Sequence, residues 1–201
     1  MASHHDFDAV YSGDEPAPWQ IGGPQPALVE ALDRVAVADP VLDVGCGTGE
    51  LAIFVAERGH RVVGVDLSAP GIDRARARIA GRDLDLTFEV ADATRLVDLD
   101  LRPRTVLDSG LLHSLDETGQ RAYVEGLRAI CDPGAVVCVL AVSAAAGMNW
   151  TLTPDRLVEL FPEPDWTDTS IRSTEVVAGA DHHLRLPALL TVTRRAGADR
   201  T

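Results

Sequence analysis

The chain has 201 residues, 46% of them hydrophobic, and a formal net charge of −13 set by 31 acids against eighteen arginines and no lysine. That length suits one α/β domain with a sizeable core and leaves little room for a second. The acidic balance opposes nucleic-acid binding, which rests on neutralising phosphates, and the missing lysine removes Schiff-base chemistry and the phosphate-binding lysine of a Walker loop.

Cys46, Cys131 and Cys138 are odd in number and lack a C-x-x-C spacing, so neither a disulfide framework nor a zinc site is expected, and a reducing cytoplasm fits. The N-terminal stretch has no basic n-region and no apolar run. Nowhere do about eighteen apolar residues stand together, which points to a cytoplasmic protein without a membrane partner.

Met1 to Gly23 is polar and proline-rich, with Phe7, Tyr11 and Trp19 dotted through it. Its first ten residues read as disordered. Trp19 and Ile21, in a Gly/Pro frame, need something apolar to cover. Leu28, Leu32 and Val35 recur at helical spacing over Pro26 to Val37. The chain is then organised around Val41 to Glu50, VLDVGCGTGE: a buried strand carrying Asp43, a tight loop with Gly45, Gly47 and Gly49, and a helix from Glu50 to Arg58. Glycines there permit positive φ and close approach to the main chain, and the helix behind offers unpaired N–H groups to a polar ligand. A dinucleotide fingerprint needs G-x-G-x-x-G, and the place of its third glycine is taken by Glu50, an acid that would repel a pyrophosphate.

Arg61 to Leu67 is a second buried strand ending in Asp66, about twenty residues past the loop, where a carboxylate meets both ribose hydroxyls of a nucleoside. Ser68 and Pro70 start the helix that runs through Ile79. Asp85 to Val90 alternates as a third strand, followed by Ala91-Asp92-Ala93. Thr105 to Leu115 holds a fourth strand and its exit loop. Glu117 to Ile130 is an amphipathic helix stopped by Cys131-Asp132-Pro133-Gly134, Ala135 to Val142 a fifth strand, and Thr153-Pro154 caps a helix through Phe161. Thr167 to Val177 and Leu184 to Arg194 form a closing pair of strands.

With Asp43 two residues before the first glycine, VLDVGCGTGE resembles motif I (D/E-x-G-x-G-x-G) of the class I S-adenosylmethionine (SAM) methyltransferases, and the order of later segments agrees with that family over about four-fifths of the chain. The resemblance implies an α/β, Rossmann-like three-layer sandwich: a seven-stranded, mostly parallel sheet with an antiparallel C-terminal hairpin. It implies residues 1–23 as tail and lid, 24–195 as the SAM-dependent domain and 196–201 as a short tail. SAM would be held by Asp43, Gly45, Cys46, Gly47 and Gly49 of the loop, Asp66 and Leu67 at the ribose, Asp92 and Ala93 at the adenine, and Asp108 after the fourth strand. Asp92 has a plainer reading as a turn residue. The N-terminal segment would fold across the SAM pocket, which makes Trp19, with Ile21 and Gln25, a lid candidate and Trp19 a cofactor-binding residue, or Trp19 only anchors the tail.

Within the class, PWQIGGPQP, VLDVGCGTGE and VLDSGLLHSL resemble small bacterial enzymes related to thiopurine and heterocyclic-toxin methyltransferases. The fourth-strand loop lacks the (N/D/S)-P-P-(Y/F) motif of DNA and glutamine amino-methyltransferases. The implied reaction is methyl transfer by in-line displacement to a small aromatic or heterocyclic acceptor. Ser109, Leu112, Trp150, His182 and His183 are the acceptor candidates, with Trp19, Leu111 and Met148 completing the wall. His183 and His182 have an alternative as solvated turn residues. His113 is either a general base or a neutral histidine bonded to the backbone. No residue cluster suggests a metal. A protein-modifying methyltransferase and a non-catalytic SAM-binding regulator are the alternatives, an oxidoreductase the more distant one, and monomer or homodimer is left open.

Overall fold

The structure, a computed structural model, describes residues 7–13, 15–147, 150–179, 181 and 183–197. Strands β1 (Val41–Val44), β2 (Val62–Asp66), β3 (Leu86–Val90), β4 (Thr105–Ser109), β5 (Val136–Val142), β6 (Trp166–Ala178) and β7 (Leu184–Arg195) form one sheet in the order β3-β2-β1-β4-β5-β7-β6. β3, β2, β1, β4 and β5 run parallel, while β7 lies antiparallel to both β5 and β6. This is the Rossmann-like methyltransferase architecture. The order reverses beside β1, so the loops after β1 and β4 diverge and leave a crevice between them.

Every residue of β5 is buried, and its side chains alternate between two cores. Val136, Cys138, Leu140 and Val142 pack on the side of α2 (Pro26–Leu32), α3 (Glu50–Ala56) and α4 (Ala69–Ile79). Val137, Val139 and Ala141 pack on the side of α5 (Glu117–Ile130) and α6 (Pro154–Leu160). A strand apolar on both faces demands covering on both, which makes three layers. Burying each such side chain contributes roughly 1.5–3 kcal/mol. Side-chain caps set the helix starts: the Ser68 hydroxyl accepts from the Gly71 N–H at 3.3 Å, Asp116 from Gly119 at 2.8 Å and Thr153 from Arg156 at 3.1 Å.

Two expectations change at the N-terminal end. Phe7–Ser12 forms a helix, α1, packed on α4 instead of a disordered tail. Phe7 and Tyr11 stand one helical turn apart, and Tyr11 is buried. The following helix ends at Leu32, short of Val37, because β-branched Val35 and Val37 ahead of Pro40 favour an extended run into β1.

Candidate cofactor and acceptor site

A cavity of about 1040 Å³ opens at the carboxyl ends of the parallel strands, roofed by Phe7, Tyr11, Trp19, Gln20 and Gln25 and walled on one side by β6 and β7. Its floor is the loop between β1 and α3. Asp43, 1% exposed, lines it with neither carboxylate oxygen at bonding distance from a donor. Burial pushes its carboxyl up to about 8 against the lowering effect of the Ala52 N–H, and the charges of Asp108, Asp66 and Glu50 add to the rise. A buried acid with no close donor at the floor of the glycine loop suits a cationic guest.

At the end of β2, Asp66 accepts the Gly47 N–H on Oδ2 and the Ser68 N–H on Oδ1, both at 2.8 Å. A carboxylate has about four acceptor sites, so two are left for hydroxyl donors. Burial raises the pKa of Asp66 against these two N–H bonds. Leu67 beside it is 64% exposed and lines the same cavity, as do Ala93 and Asp92. Asp92 Oδ1 accepts the Thr94 N–H at 2.8 Å and its hydroxyl at 2.7 Å, so the turn reading describes one of its oxygens. Gly45, Cys46 and Gly47 line the cavity, and burial raises the Cys46 thiol well above its ordinary range, keeping it neutral.

Three sequence expectations are corrected here. Gly49 does not line the cavity: it caps α3 at φ 84°, and a Cβ there would come within 2.6 Å of the Phe88 ring, so its role is packing. Asp108 is fully buried and takes the N–H groups of Gly110 (3.0 Å), Leu111 (2.7 Å) and Leu112 (3.1 Å). It shapes the exit loop of β4 from beneath and does not line the cavity; burial lifts its carboxyl to about 7 despite those bonds. Leu112 turns into the core packed beneath α5 and is no part of the acceptor wall.

On the same loop Ser109, Leu111 and His113 face the cavity. His113 Nδ1 accepts the Val142 N–H at 3.2 Å, because β4 stops at Ser109 and leaves that strand N–H for a side chain. The neutral ring then carries its proton on Nε2 and acts as a donor. This is the backbone-bonded reading of His113, and it works against a general base. Trp150 stands edge-on to His113 at 4.6 Å, lines the cavity, and has its buried indole N–H without an acceptor. His183 is exposed and lies off the cavity, which is lined by Leu184 and Leu186 of β7, the strand that follows it. His182 and Met148 lie outside the described residues.

The roof is held at both ends. Gln25 accepts the Val177 N–H and donates to its carbonyl, each at 2.9 Å, and the Gly179 N–H donates to the Pro18 carbonyl at 2.7 Å. Gln20 Nε2 donates to the Thr48 hydroxyl and, at 3.3 Å, to Glu50, which also takes Arg78 at 2.6 Å. Trp19, 38% exposed, lines the cavity and donates its indole N–H to the Tyr11 hydroxyl at 3.1 Å, so it both roofs and anchors. The Tyr11 ring fills the space that a Cβ at Gly47 (φ 53°) would need, 2.6 Å from its hydroxyl. Sequence reading missed Tyr11, Gln20 and Thr48 as site residues. The helical spacing of Phe7 and Tyr11 was the available signal.

A family described as "methyltransferase domain" matches residues 41–134. Over 147 residues the chain is 36% identical to the 2-heptyl-1-hydroxyquinolin-4(1H)-one methyltransferase of Mycobacteroides abscessus, covering 70% of this chain and 65% of that protein's length. It is 33% identical over 127 residues to the tRNA 5-carboxymethoxyuridine methyltransferase of Escherichia coli, covering 60% of this chain and 48% of that one. Among solved structures, one described by the conversion of a disulfide bond into a thioacetal group during echinomycin biosynthesis is 36% identical, with a TM-score of 0.83 over 98% of this chain and 93% of its own. The N-methyltransferase NodS of Bradyrhizobium japonicum, in complex with S-adenosylhomocysteine, shares the fold at 18% identity, with a TM-score of 0.74 over 98% of this chain and all of its own. The chain belongs to the class I SAM-dependent methyltransferases, whose cofactor is SAM.

Proposed function

We propose that the protein transfers a methyl group from SAM to a small aromatic or heterocyclic acceptor at an O, N or S nucleophile. The observation that carries the acceptor class is the wall opposite the acids: Leu140, Val142, Trp150, Val176, Leu184 and Leu186, with Trp19 above them. A flat apolar ring suits such a wall, and a roofed cavity has no groove for an extended peptide. The quinolone named for the Mycobacteroides relative is an acceptor of this kind.

When bound, SAM supplies an already electrophilic methyl group, so the protein's part is alignment in a dry site. Asp66 would take the ribose hydroxyls, Asp92 and the Ala93 N–H the adenine, and Asp43 with the loop backbone the cationic amino-acid end. His113 and Trp150, which both line the cavity, would orient the acceptor. A nucleic-acid acceptor, which the tRNA enzyme among the relatives brings to mind, meets an acidic chain and a cavity lined by no arginine among the described residues. Following S-adenosylhomocysteine over a panel of hydroxyquinolines, phenols and thiols tests the reading. Turnover of several panel members is expected. Label appearing only on protein or RNA would overturn it, and tight SAM binding with no transfer to anything would favour a regulator.

A further inference from the structure

Six carboxylates line the cavity, Asp8, Asp43, Glu50, Asp66, Asp92 and Asp116, and among the described residues no arginine does. Arg82 is drawn to Glu57, Arg128 to Glu125 and the Arg76 guanidinium to the Phe88 carbonyl, while Arg78 reaches from α4 to Glu50 and balances that one acid, leaving the others without a cation. His113, the only histidine lining the cavity among the described residues, accepts the Val142 N–H on Nδ1. Asp43, the most deeply buried of the six, has neither oxygen within bonding distance of a donor among the described residues, and it carries its charge only once a cation stands beside it.

Building on the proposed small-molecule methyl transfer, we infer that the site selects its acceptor by charge: the acceptor is neutral or cationic, and a molecule bearing a carboxylate or phosphate is rejected. The negative ring favours a cofactor with a sulfonium centre. The cofactor's own carboxylate enters as half of a zwitterion, its ammonium travelling with it. An anionic acceptor brings no such partner, and nothing on the cavity wall compensates it. Low-dielectric walls of leucine, valine and tryptophan focus the field of the acids instead of screening it. Asp116, two residues past Ser114 after the exit loop of β4, and Asp8, on α1, bring acids to the lining from two separate segments.

The experiment uses the full chain with saturating SAM and two acceptors of one hydroxyquinoline skeleton, one with a carboxamide remote from the hydroxyl and one with a carboxylate at the same place. The two differ little in shape and fully in charge. We expect kcat/KM for the carboxamide to exceed that for the carboxylate by at least about tenfold, the ratio shrinking as salt rises from about 0.05 to 0.5 M. The ratio should also narrow in a D8N/D116N double variant, in which the side-chain amide oxygen at position 116 still caps α5. Equal or better turnover of the carboxylate, or a ratio that the double variant leaves unmoved, overturns the inference while leaving the small aromatic acceptor standing. If neither compound is methylated nor binds the SAM-loaded protein, the acceptor class itself falls, and the inference with it.

Discussion

The two halves of the cavity are built on opposite principles. The cofactor half is polar and local: Asp43, Asp66 and Asp92 sit at or just past the ends of three adjacent parallel strands, and each is placed by its own strand and turn. The acceptor half is apolar and assembled from distant segments, with Leu140 and Val142 from β5, Val176 from β6, Leu184 and Leu186 from β7, Trp150 from a loop and Trp19 from the roof. Each half also holds one buried polar group, the Asp43 carboxylate and the Trp150 indole N–H, with no partner within bonding distance among the described residues. The first half can stay constant while chemistry is retargeted by the second, because only the second depends on the register of the hairpin.

If the halves are separable, mutations should sort by half. Asp66→Ala should cost the most, roughly 2–4 kcal/mol of SAM affinity through two lost charge-assisted hydrogen bonds, with acceptor KM at saturating SAM nearly unchanged. Calorimetry showing unaltered SAM affinity would remove Asp66 from the site. Trp150→Ala should lower kcat/KM for an aromatic acceptor by about 10- to 100-fold while SAM binding stays close to wild type, on the scale of a lost aromatic contact plus buried area. A Trp150→Ala enzyme that loses SAM affinity and keeps turnover would place Trp150 in the cofactor half.

Two smaller effects sharpen the boundary. Tyr11→Phe keeps the ring over Gly47 and removes the hydroxyl that takes the Trp19 N–H, so SAM affinity should fall by a few fold at most, about 1 kcal/mol or less. A hundredfold loss would show that the hydroxyl holds the cofactor directly. Asp43 has a folded pKa of about 8 against 3.8 unfolded, so the folded state holds the extra proton between those values. Its contribution to stability is therefore largest at low pH and is lost as pH rises towards 8. The melting temperature of the protein without cofactor should fall from pH 5 to 8, less steeply in Asp43→Asn; Asp108, lifted to about 7, keeps part of the slope. SAM binding at neutral pH should release protons, seen as a buffer-dependent binding heat, and the absence of release would detach Asp43 from the cofactor.

This division also explains what could be read in advance. Motif spacing on single strands made the sheet and the cavity-lining places of Asp43, Asp66 and Asp92 legible, since strand, turn and acid lie within a few residues of each other. Asp108 looked similar, yet its acid is consumed by three N–H groups of its own loop, a matter of backbone path that composition does not reveal. His183 takes the solvated-turn alternative that the sequence left open, and the cavity is lined instead by Leu184 and Leu186 of β7, the strand that follows it, a choice made by the pairing of β7 with β5 and β6. Tyr11 was hidden in a polar segment whose helical signal is only one turn long.

The most direct test of the account is the appearance of S-adenosylhomocysteine when the purified chain is given SAM and a neutral hydroxyquinoline. The account predicts turnover that Asp66→Ala suppresses through SAM binding and Trp150→Ala suppresses through the acceptor. SAM binding without transfer to any small aromatic molecule, or transfer that Trp150→Ala leaves intact, would contradict it.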